Sequence, residues 1–295
     1  MAVTPSQIHF PSSFQELFSI WNAYLNGNNA AALFAGGTGH IWGQNRRIPA
    51  FPPNIISLEK LPELRKISRT ERYLEIGCMV KLNQIIHLGK IVPEALTSCL
   101  LHIADPQLRS QATIGGNICF PSRRLDASAP MIALDAQYEL RTAQSARWVP
   151  ASRFSSHPGP PNLEPQELLT RIRIPLEPWN FTWYQKFDIA GSTEPGGGIL
   201  FILKNQKDIL TDIRIVYSGK AILKEKNSES MLSGKHLPLD RKDTAAFIDS
   251  WKGYLAELEG DEKAIYPGEG GNFNPGLIKA RILHFIESTL MHISD

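Results

Sequence analysis

Two short glycine-containing segments hold the residues of this chain whose types and spacing favour ligand binding. The first, residues 33–40, reads LFAGGTGH, and the second, residues 112–119, reads ATIGGNIC. Glycine leaves the backbone bare, and consecutive N–H groups in a turn bind anions such as phosphate. Thr38 adds a hydroxyl group and Asn117 adds an amide. On these residues alone, the first segment is either a tight structural turn or a phosphate-binding loop.

The first segment matches neither of two common phosphate-binding patterns. It is not a Walker A loop, because no Gly-Lys-Ser or Gly-Lys-Thr follows it, and the spacing of its glycines does not fit the G-x-G-x-x-G fingerprint. Two glycine turns far apart in sequence nevertheless suit a ligand held at two points along a pyrophosphate. A carboxylate such as Asp126 is then the expected partner for ribose or ribityl hydroxyls.

Composition excludes several classes of function. The chain has 295 residues, with 31 basic and 29 acidic side chains, a balance that argues against a nucleic-acid or membrane-surface partner. Its three cysteines form no C-x-x-C pair, which argues against a disulfide framework and against a metal or iron–sulfur site made by this chain. Because the sequence shows neither a secretory signal pattern nor a long apolar run, we expect a cytoplasmic protein.

Hydrophobic periodicity predicts a mixture of helices and strands. Helices are predicted over 13–26, with a Ser13-x-x-Glu16 capping box, and over 241–258 and 276–292. Strands are predicted at 31–34 and 131–140, and 224–235 is predicted to be an exposed loop. The sequence texture changes near residue 176, which predicts two parts. The apolar face of the last helix is predicted to contain Leu277, Ala280, Leu283, Ile286 and Leu290.

The glycine segments resemble those of a known family. AGGT at 35–38, ATIGGN at 112–117 and an Asp before MIALDA resemble the FAD-binding medium subunits of molybdenum hydroxylases, such as xanthine dehydrogenase and carbon monoxide dehydrogenase. The second motif matches without a gap over 115–136, and the resemblance covers essentially the whole chain. It implies an α+β protein with an FAD-binding fold of the vanillyl-alcohol oxidase type in two subdomains, about 1–58 and 59–176. A smaller C-terminal α+β domain, 177–295, would follow.

The same resemblance implies an FAD site. Residues 33–40 would surround the pyrophosphate and residues 113–117 would approach it from the other side. Asp126 would bind hydroxyls of FAD, and Lys186 would lie near the flavin. No catalytic side chain and no metal ligand is implied, because FAD itself performs the redox chemistry. The predicted cofactor-binding residues are Leu33, Phe34, Ala35, Gly36, Gly37, Thr38, Gly39, His40, Ile103, Thr113, Ile114, Gly115, Gly116, Asn117, Ser122, Asp126, Leu169 and Lys186.

The resemblance further implies a place in a complex. Electrons would arrive singly from iron–sulfur clusters on a small partner subunit. They would leave the flavin as a hydride to NAD+ or another acceptor. A large partner subunit would hold the molybdopterin and hydroxylate the substrate, which this chain is not expected to do alone.

Some positions depart from the family's pattern and motivate an alternative. Gly39 and His40 stand where the family commonly has Asp and an apolar residue, and Asn274 and Pro275 replace a common Tyr-Arg pair. The segment after Lys186 is also unusual. The alternative is a degenerate scaffold or assembly subunit of the same fold that binds FAD weakly or not at all. A free-standing flavin oxidase has less support, because no acid–base constellation is visible.

Overall fold

The computed structural model describes eight separate stretches of the chain, and all the helices and strands given below lie within them. These stretches are residues 7–27, 31–42, 50–121, 125–155, 160–187, 197–219, 221–258 and 275–294.

The N-terminal part is a small parallel sheet with a helix across it. Strands β1 (Gln7–His9), β2 (Ala31–Phe34) and β3 (Asn54–Ser57) lie in the order β1-β3-β2, and helix α1 (Phe14–Asn26) connects the first two. The Ser13 hydroxyl accepts a hydrogen bond from the Glu16 N–H at 3.2 Å, as the predicted cap requires. The Glu16 carboxylate instead accepts from the Ser12 N–H, so the capping box is shifted by one residue. The first glycine segment follows β2 directly and leads into a short helix, α2 (Thr38–Trp42).

The second layer is a five-stranded antiparallel sheet. Its strands are β4 (Ile67–Arg69), β5 (Tyr73–Gly77), β6 (Gln137–Arg141), β7 (Ala146–Pro150) and β8 (Leu168–Pro175), in the order β4-β5-β8-β6-β7. The chain between β5 and β6 is helical, and it contains the second glycine segment. The helices are α3 (Leu82–His87), α4 (Glu94–Leu101), α5 (Pro106–Gln111), α6 (Ile114–Ile118) and α7 (Ser128–Ala133), and α8 (Ala151–Phe154) follows β7.

The predicted strand over 131–140 is wrong in its first half. Residues 128–133 form helix α7, whose residues are all buried, and the strand begins only at Gln137. A short apolar run that is buried on every side has the same composition in a helix and in a strand, so its periodicity does not separate them.

The C-terminal part is a four-stranded antiparallel sheet with helices on one face. Strands β9 (Phe181–Lys186), β10 (Gly198–Gln206), β11 (Ile209–Ser218) and β12 (Ile222–Leu223) lie in the order β12-β11-β10-β9. Helices α9 (Lys226–Leu232), α10 (Arg241–Glu257) and α11 (Pro275–Ser294) complete it. The predicted loop over 224–235 is therefore wrong: it contains α9, which the Glu225 side chain caps and which buries Leu232.

The apolar face predicted for the last helix is only partly right. Ile286 and Leu290 are buried, but Leu277 is 42% exposed and Ala280 is also exposed. The buried face is rotated relative to the prediction, because the helix packs its larger side chains against β10 and α10. It consists of Ile278, Ile282, Phe285, Ile286, Thr289 and Leu290.

Two hydrophobic clusters meet at the C-terminal sheet. Alternate residues of β10 point to opposite faces, so Leu200 and Ile202 join the first cluster while Ile199 and Phe201 join the second. Arg214 of β11 donates to the Ala133 carbonyl at 2.7 Å, which ties the sheet to helix α7. The boundary that the sequence predicts near residue 176 falls between β8 and β9. The domain limits themselves remain a prediction. None of the helices in the described part of the chain has both the length and the apolar character needed to cross a membrane.

Candidate functional site

A cavity of about 600 Å³ lies where the two glycine segments meet the start of strand β8. Its volume is within the range of small-molecule and cofactor sites. The structure brings most of the predicted cofactor-binding residues together in its wall. These residues are Leu33, Phe34, Ala35, Gly36, Gly37, Thr38, Gly39, His40, Thr113, Gly115, Gly116, Asn117 and Leu169.

The first glycine segment forms a sharp turn between β2 and α2. Gly37 has a φ of +72°, in the left-handed region where a side chain is strained. The Ile41 N–H donates to the Gly37 carbonyl at 3.2 Å, which begins the helix. The first N–H groups of a helix have no partner within it, and here they belong to Thr38 and Gly39, which line the cavity. The turn therefore offers backbone donors and a hydroxyl to an anionic group.

The Gly36 backbone is in close contact with the end of helix α5. A Cβ atom on Gly36 would lie 2.3 Å from the Gln111 carbonyl oxygen, and one on Gly39 would lie 3.0 Å from the Phe120 ring. The Lys81 ammonium donates to the same Gln111 carbonyl at 2.8 Å. These glycines thus let the turn pack against the wall that carries the second segment, and that packing creates the cavity.

The second glycine segment is held by the protein itself. Thr113 caps α6, and its hydroxyl accepts from the Gly116 N–H at 3.1 Å. The Gly115 N–H donates to the Cys78 carbonyl at 2.9 Å, and a Cβ on Gly115 would lie 2.6 Å from the Cys78 Cβ. The N–H groups of residues 114 and 117 also donate to protein carbonyls. This segment therefore supplies a fixed wall, with Asn117 at its surface, rather than free N–H donors.

Asp126 and Lys186 lie outside the cavity lining and contact each other. Asp126 is 8% exposed, and its carboxylate accepts a hydrogen bond from the Tyr184 hydroxyl at 2.8 Å. The Lys186 ammonium lies 3.5 Å from the same carboxylate oxygen and donates to the His102 carbonyl at 3.1 Å. Leu125, next to Asp126, lines the cavity. The carboxylate is therefore attached to the cavity wall but turned toward strand β9.

The other predicted residues are placed as follows. Ile103 and Ile114 are buried in the first hydrophobic cluster and are not among the lining residues. Ser122 lies outside the described residues, as do Asn274 and most of the unusual segment after Lys186. His40 donates through Nε2 to the Ala50 carbonyl at 3.1 Å, and its ring stacks on Phe51 with 5.9 Å between centroids.

Several lining residues were not predicted from the sequence. Among them, Glu167 is held by Arg147, whose Nε and Nη2 atoms donate to its carboxylate at 2.6 and 2.9 Å. Hydrogen bonding to Arg147 lowers the pKa of Glu167, so this carboxylate is ionised at neutral pH. Burial raises the pKa of the Cys78 thiol, which is therefore neutral. The alternation of strand β8 could have indicated an inward position near 167, but no local signal points to Arg147.

Metal binding has no support among the described side chains. No group of three or more His, Cys, Asp or Glu residues in this part of the chain could hold a metal ion. The cavity instead offers the bare turn and the Thr38 hydroxyl to an anionic or polar group, and apolar walls such as Leu168 to an apolar one.

The sequence of the chain matches a family model and is similar to several named proteins. It matches the family model described as the FAD binding domain in molybdopterin dehydrogenase over residues 4–177. The xanthine dehydrogenase FAD-binding subunit of Escherichia coli O157:H7 is 33% identical over 158 residues, which cover 52% of this chain and 53% of that protein. The chain thus matches about half the length of that relative. The carbon monoxide dehydrogenase medium chain of Hydrogenophaga pseudoflava is 27% identical over 245 residues, covering 81% and 84%.

Solved structures share the fold. Carbon monoxide dehydrogenase from Hydrogenophaga pseudoflava contains a chain that aligns with a TM-score of 0.80 and 24% identity, covering 100% of this chain and 98% of that one. Quinoline 2-oxidoreductase from Pseudomonas putida aligns with a TM-score of 0.77 and 18% identity, covering 100% and 98%. The α+β fold predicted from the sequence is confirmed. Because the family model covers more than half of the chain, the protein belongs to the family of FAD binding domains in molybdopterin dehydrogenases.

Proposed function

We propose that this chain binds FAD in the cavity between the glycine segments and passes electrons through it as a subunit of a molybdenum hydroxylase-type oxidoreductase. One observation carries the proposal: in a member of this family, both sequence motifs line one cavity, and the first motif places the start of helix α2, at Thr38 and Gly39, in its wall. A pyrophosphate is the part of FAD that needs the backbone donors of a helix start.

The residues of the chain would bind and orient the cofactor. The N–H groups of Thr38 and Gly39 and the Thr38 hydroxyl would donate to the pyrophosphate. Leu33, Leu168 and Leu169 would exclude water along the apolar part of the cavity. Bound FAD supplies the redox chemistry, accepting single electrons and delivering two to an acceptor.

The partners and the acceptor belong to the same proposal. A small subunit with iron–sulfur clusters would supply electrons, a large subunit would hold molybdopterin, and NAD+ or another compound would accept the electrons. The names of two relatives support this arrangement, because each describes one subunit of a larger assembly. The relative from Hydrogenophaga pseudoflava is named a medium chain, and the relative from Paenarthrobacter nicotinovorans is named a medium subunit. The domain limits at 176 and 177 and a cytoplasmic location are part of this proposal.

FAD binding can be tested with two glycines that have similar backbones. Gly37 and Gly89 both have positive φ, +72° and +63°, but only Gly37 lines the cavity. We expect Gly37→Ala to weaken FAD binding at least tenfold in a fluorescence titration, while Gly89→Ala binds FAD like the unaltered protein. ADP, which carries the pyrophosphate, should compete with FAD, and riboflavin should not.

The result also separates the proposal from its alternative. A purified protein that is colourless and cannot be reconstituted with FAD would contradict the proposal and support a scaffold subunit. The acceptor can be identified by reducing the bound flavin chemically without oxygen and recording its absorbance after NAD+ is added. Rapid return of the oxidised spectrum would support NAD+, and no change would exclude NAD+ as the direct acceptor.

A further inference from the structure

A buried polar contact joins the cavity wall to the C-terminal sheet. The Tyr184 hydroxyl donates to the Asp126 carboxylate at 2.8 Å, and both residues are less than a tenth exposed. Asp126 lies between Leu125, which lines the cavity, and Ala127, whose N–H donates to the Asn117 side chain at 3.3 Å. Strand β9 thus orients the Asp126 carboxylate through Tyr184, while the second glycine segment holds the neighbouring backbone through Asn117.

Strand β9 is built to aim Tyr184 at Asp126. Tyr184 and Lys186 are two positions apart on the strand and therefore lie on the same face. Gly198 on the neighbouring strand β10 leaves room for the tyrosine, because a Cβ at that position would lie 2.1 Å from the Tyr184 hydroxyl oxygen. A side chain larger than glycine at 198 would push the ring away from Asp126.

The protonation state makes Tyr184 a donor. Burial raises the pKa of Tyr184 well above its ordinary value, and the neighbouring Cys99 thiol and Asp126 carboxylate add to this effect. Its hydroxyl therefore keeps its proton at neutral pH and donates it in the hydrogen bond to the Asp126 side chain. Lys186 adds positive charge at 3.5 Å from the same oxygen atom.

We propose that Tyr184 is a positioning residue that fixes the Asp126 carboxylate for the hydroxyl groups on the flavin side of FAD. This inference rests on the proposed function. Asp126 has two carboxylate oxygens, and Tyr184 and Lys186 both contact Oδ1. Oδ2 takes part in neither contact and is the atom left to accept from a ligand hydroxyl. The resemblance predicts Lys186 beside the flavin, and its contact with Asp126 therefore favours the flavin half of the cofactor over the ADP half for this carboxylate.

The test compares Tyr184→Phe with Tyr24→Phe. Tyr24 is a matched control, because its hydroxyl also makes a side-chain hydrogen bond, to His9 at 2.6 Å, and Tyr24 is not among the residues that line the cavity. We expect Tyr184→Phe to weaken FAD binding about tenfold, as loss of a hydrogen bond to a charged group predicts. The affinity for ADP should not change. Tyr24→Phe should bind both ligands like the unaltered protein.

A double-mutant cycle separates positioning from a general effect on structure. If Tyr184 acts through Asp126, then Tyr184→Phe should weaken FAD binding only slightly when Asp126→Asn is already present. Gly198→Ala, which keeps the hydroxyl but displaces the ring, should reproduce the selective loss of FAD affinity. The proposal is overturned if Tyr184→Phe leaves FAD affinity unchanged, if it weakens ADP equally, or if its effect is the same in both backgrounds. Failure of the unaltered protein to bind FAD would instead reject the proposed function.

Discussion

Replacing Gly36 with alanine should separate the two walls of the cavity. The added Cβ would lie 2.3 Å from the Gln111 carbonyl oxygen and 3.1 Å from its carbonyl carbon. Both atoms belong to the backbone, so no side-chain rotation can relieve the contact. Restoring a separation of 3.0 Å requires the turn and helix α5 to move apart by about 0.7 Å. That movement also disturbs the Lys81 hydrogen bond to the same carbonyl.

The expected cost is that of an overpacked interior. Forcing an extra methyl group into a packed contact costs about 1–3 kcal/mol, so we expect Gly36→Ala to lower the free energy of unfolding by that amount. Because Gly36 has no positive φ, backbone strain adds nothing, and the whole effect comes from the contact with Gln111. FAD affinity should fall as well, since Thr38 and Gly39 move with the turn.

The measurement is urea unfolding of the cofactor-free protein together with an FAD titration. Gly253→Ala is the control, because Gly253 lies within helix α10 with no atom within 4 Å of an added Cβ. Alanine is the better helix former by about 1 kcal/mol, so this variant should be slightly more stable than the unaltered protein. If Gly36→Ala is as stable as the unaltered protein and binds FAD equally well, the contact with Gln111 does not explain why residue 36 is glycine.

Three further predictions concern groups around the site and the second cluster. Arg109→Met should lower the free energy of unfolding by about 2–3 kcal/mol in urea, because Arg109 Nη1 donates to the carbonyls of residues 101, 103 and 104, which would lose their partner. Glu167→Gln should cost about 1 kcal/mol at neutral pH, since Arg147 is half exposed. The pKa of Glu167 is lowered in the folded protein, so the stability that its ionised form contributes is complete above the ordinary value of 4.5 and disappears as the pH falls through the lowered value. The unfolding free energies of the variant and the unaltered protein should therefore converge in acid. A difference that stays constant with pH would refute this. Phe285→Ala should lower the free energy of unfolding by about 3–5 kcal/mol, because the ring is buried among the helices of the second cluster, and a loss under about 1 kcal/mol would contradict that packing.

Local patterns were sufficient to predict the elements that present the first glycine turn. Ser13 caps α1, the strand over 31–34 is present, and the turn follows it immediately. These features depend on neighbouring residues, so a single sequence carries them. The residues before Gln137 were predicted as a strand but form a helix. The rest of the fold buries this helix on all sides, so its sequence lacks the periodicity by which a helix is recognised.

Contacts between distant residues could not be predicted in the same way. The sequence indicates bare peptide groups in both glycine segments, but only the structure shows that the Gly115 N–H is engaged with Cys78, 37 residues earlier in the chain. The same holds for Tyr184, which reaches Asp126 across 58 positions. The sequence is enough to suggest Asp126 as a partner for ligand hydroxyls, because its residue type has the required chemistry. The group that orients it, Tyr184, can be found only from the structure.

The engagement of the second glycine segment also has an evolutionary consequence. Any side chain at Gly115 collides with Cys78, so change there is opposed by folding itself, whether or not a cofactor is retained. Thr38 differs, because it lines the cavity and its hydroxyl is proposed to contact the cofactor, so the identity of this residue depends on the ligand. In a lineage that relaxed its need for the cofactor, substitutions should therefore accumulate at position 38 before they reach position 115, and the second motif would persist long after its ligand was gone.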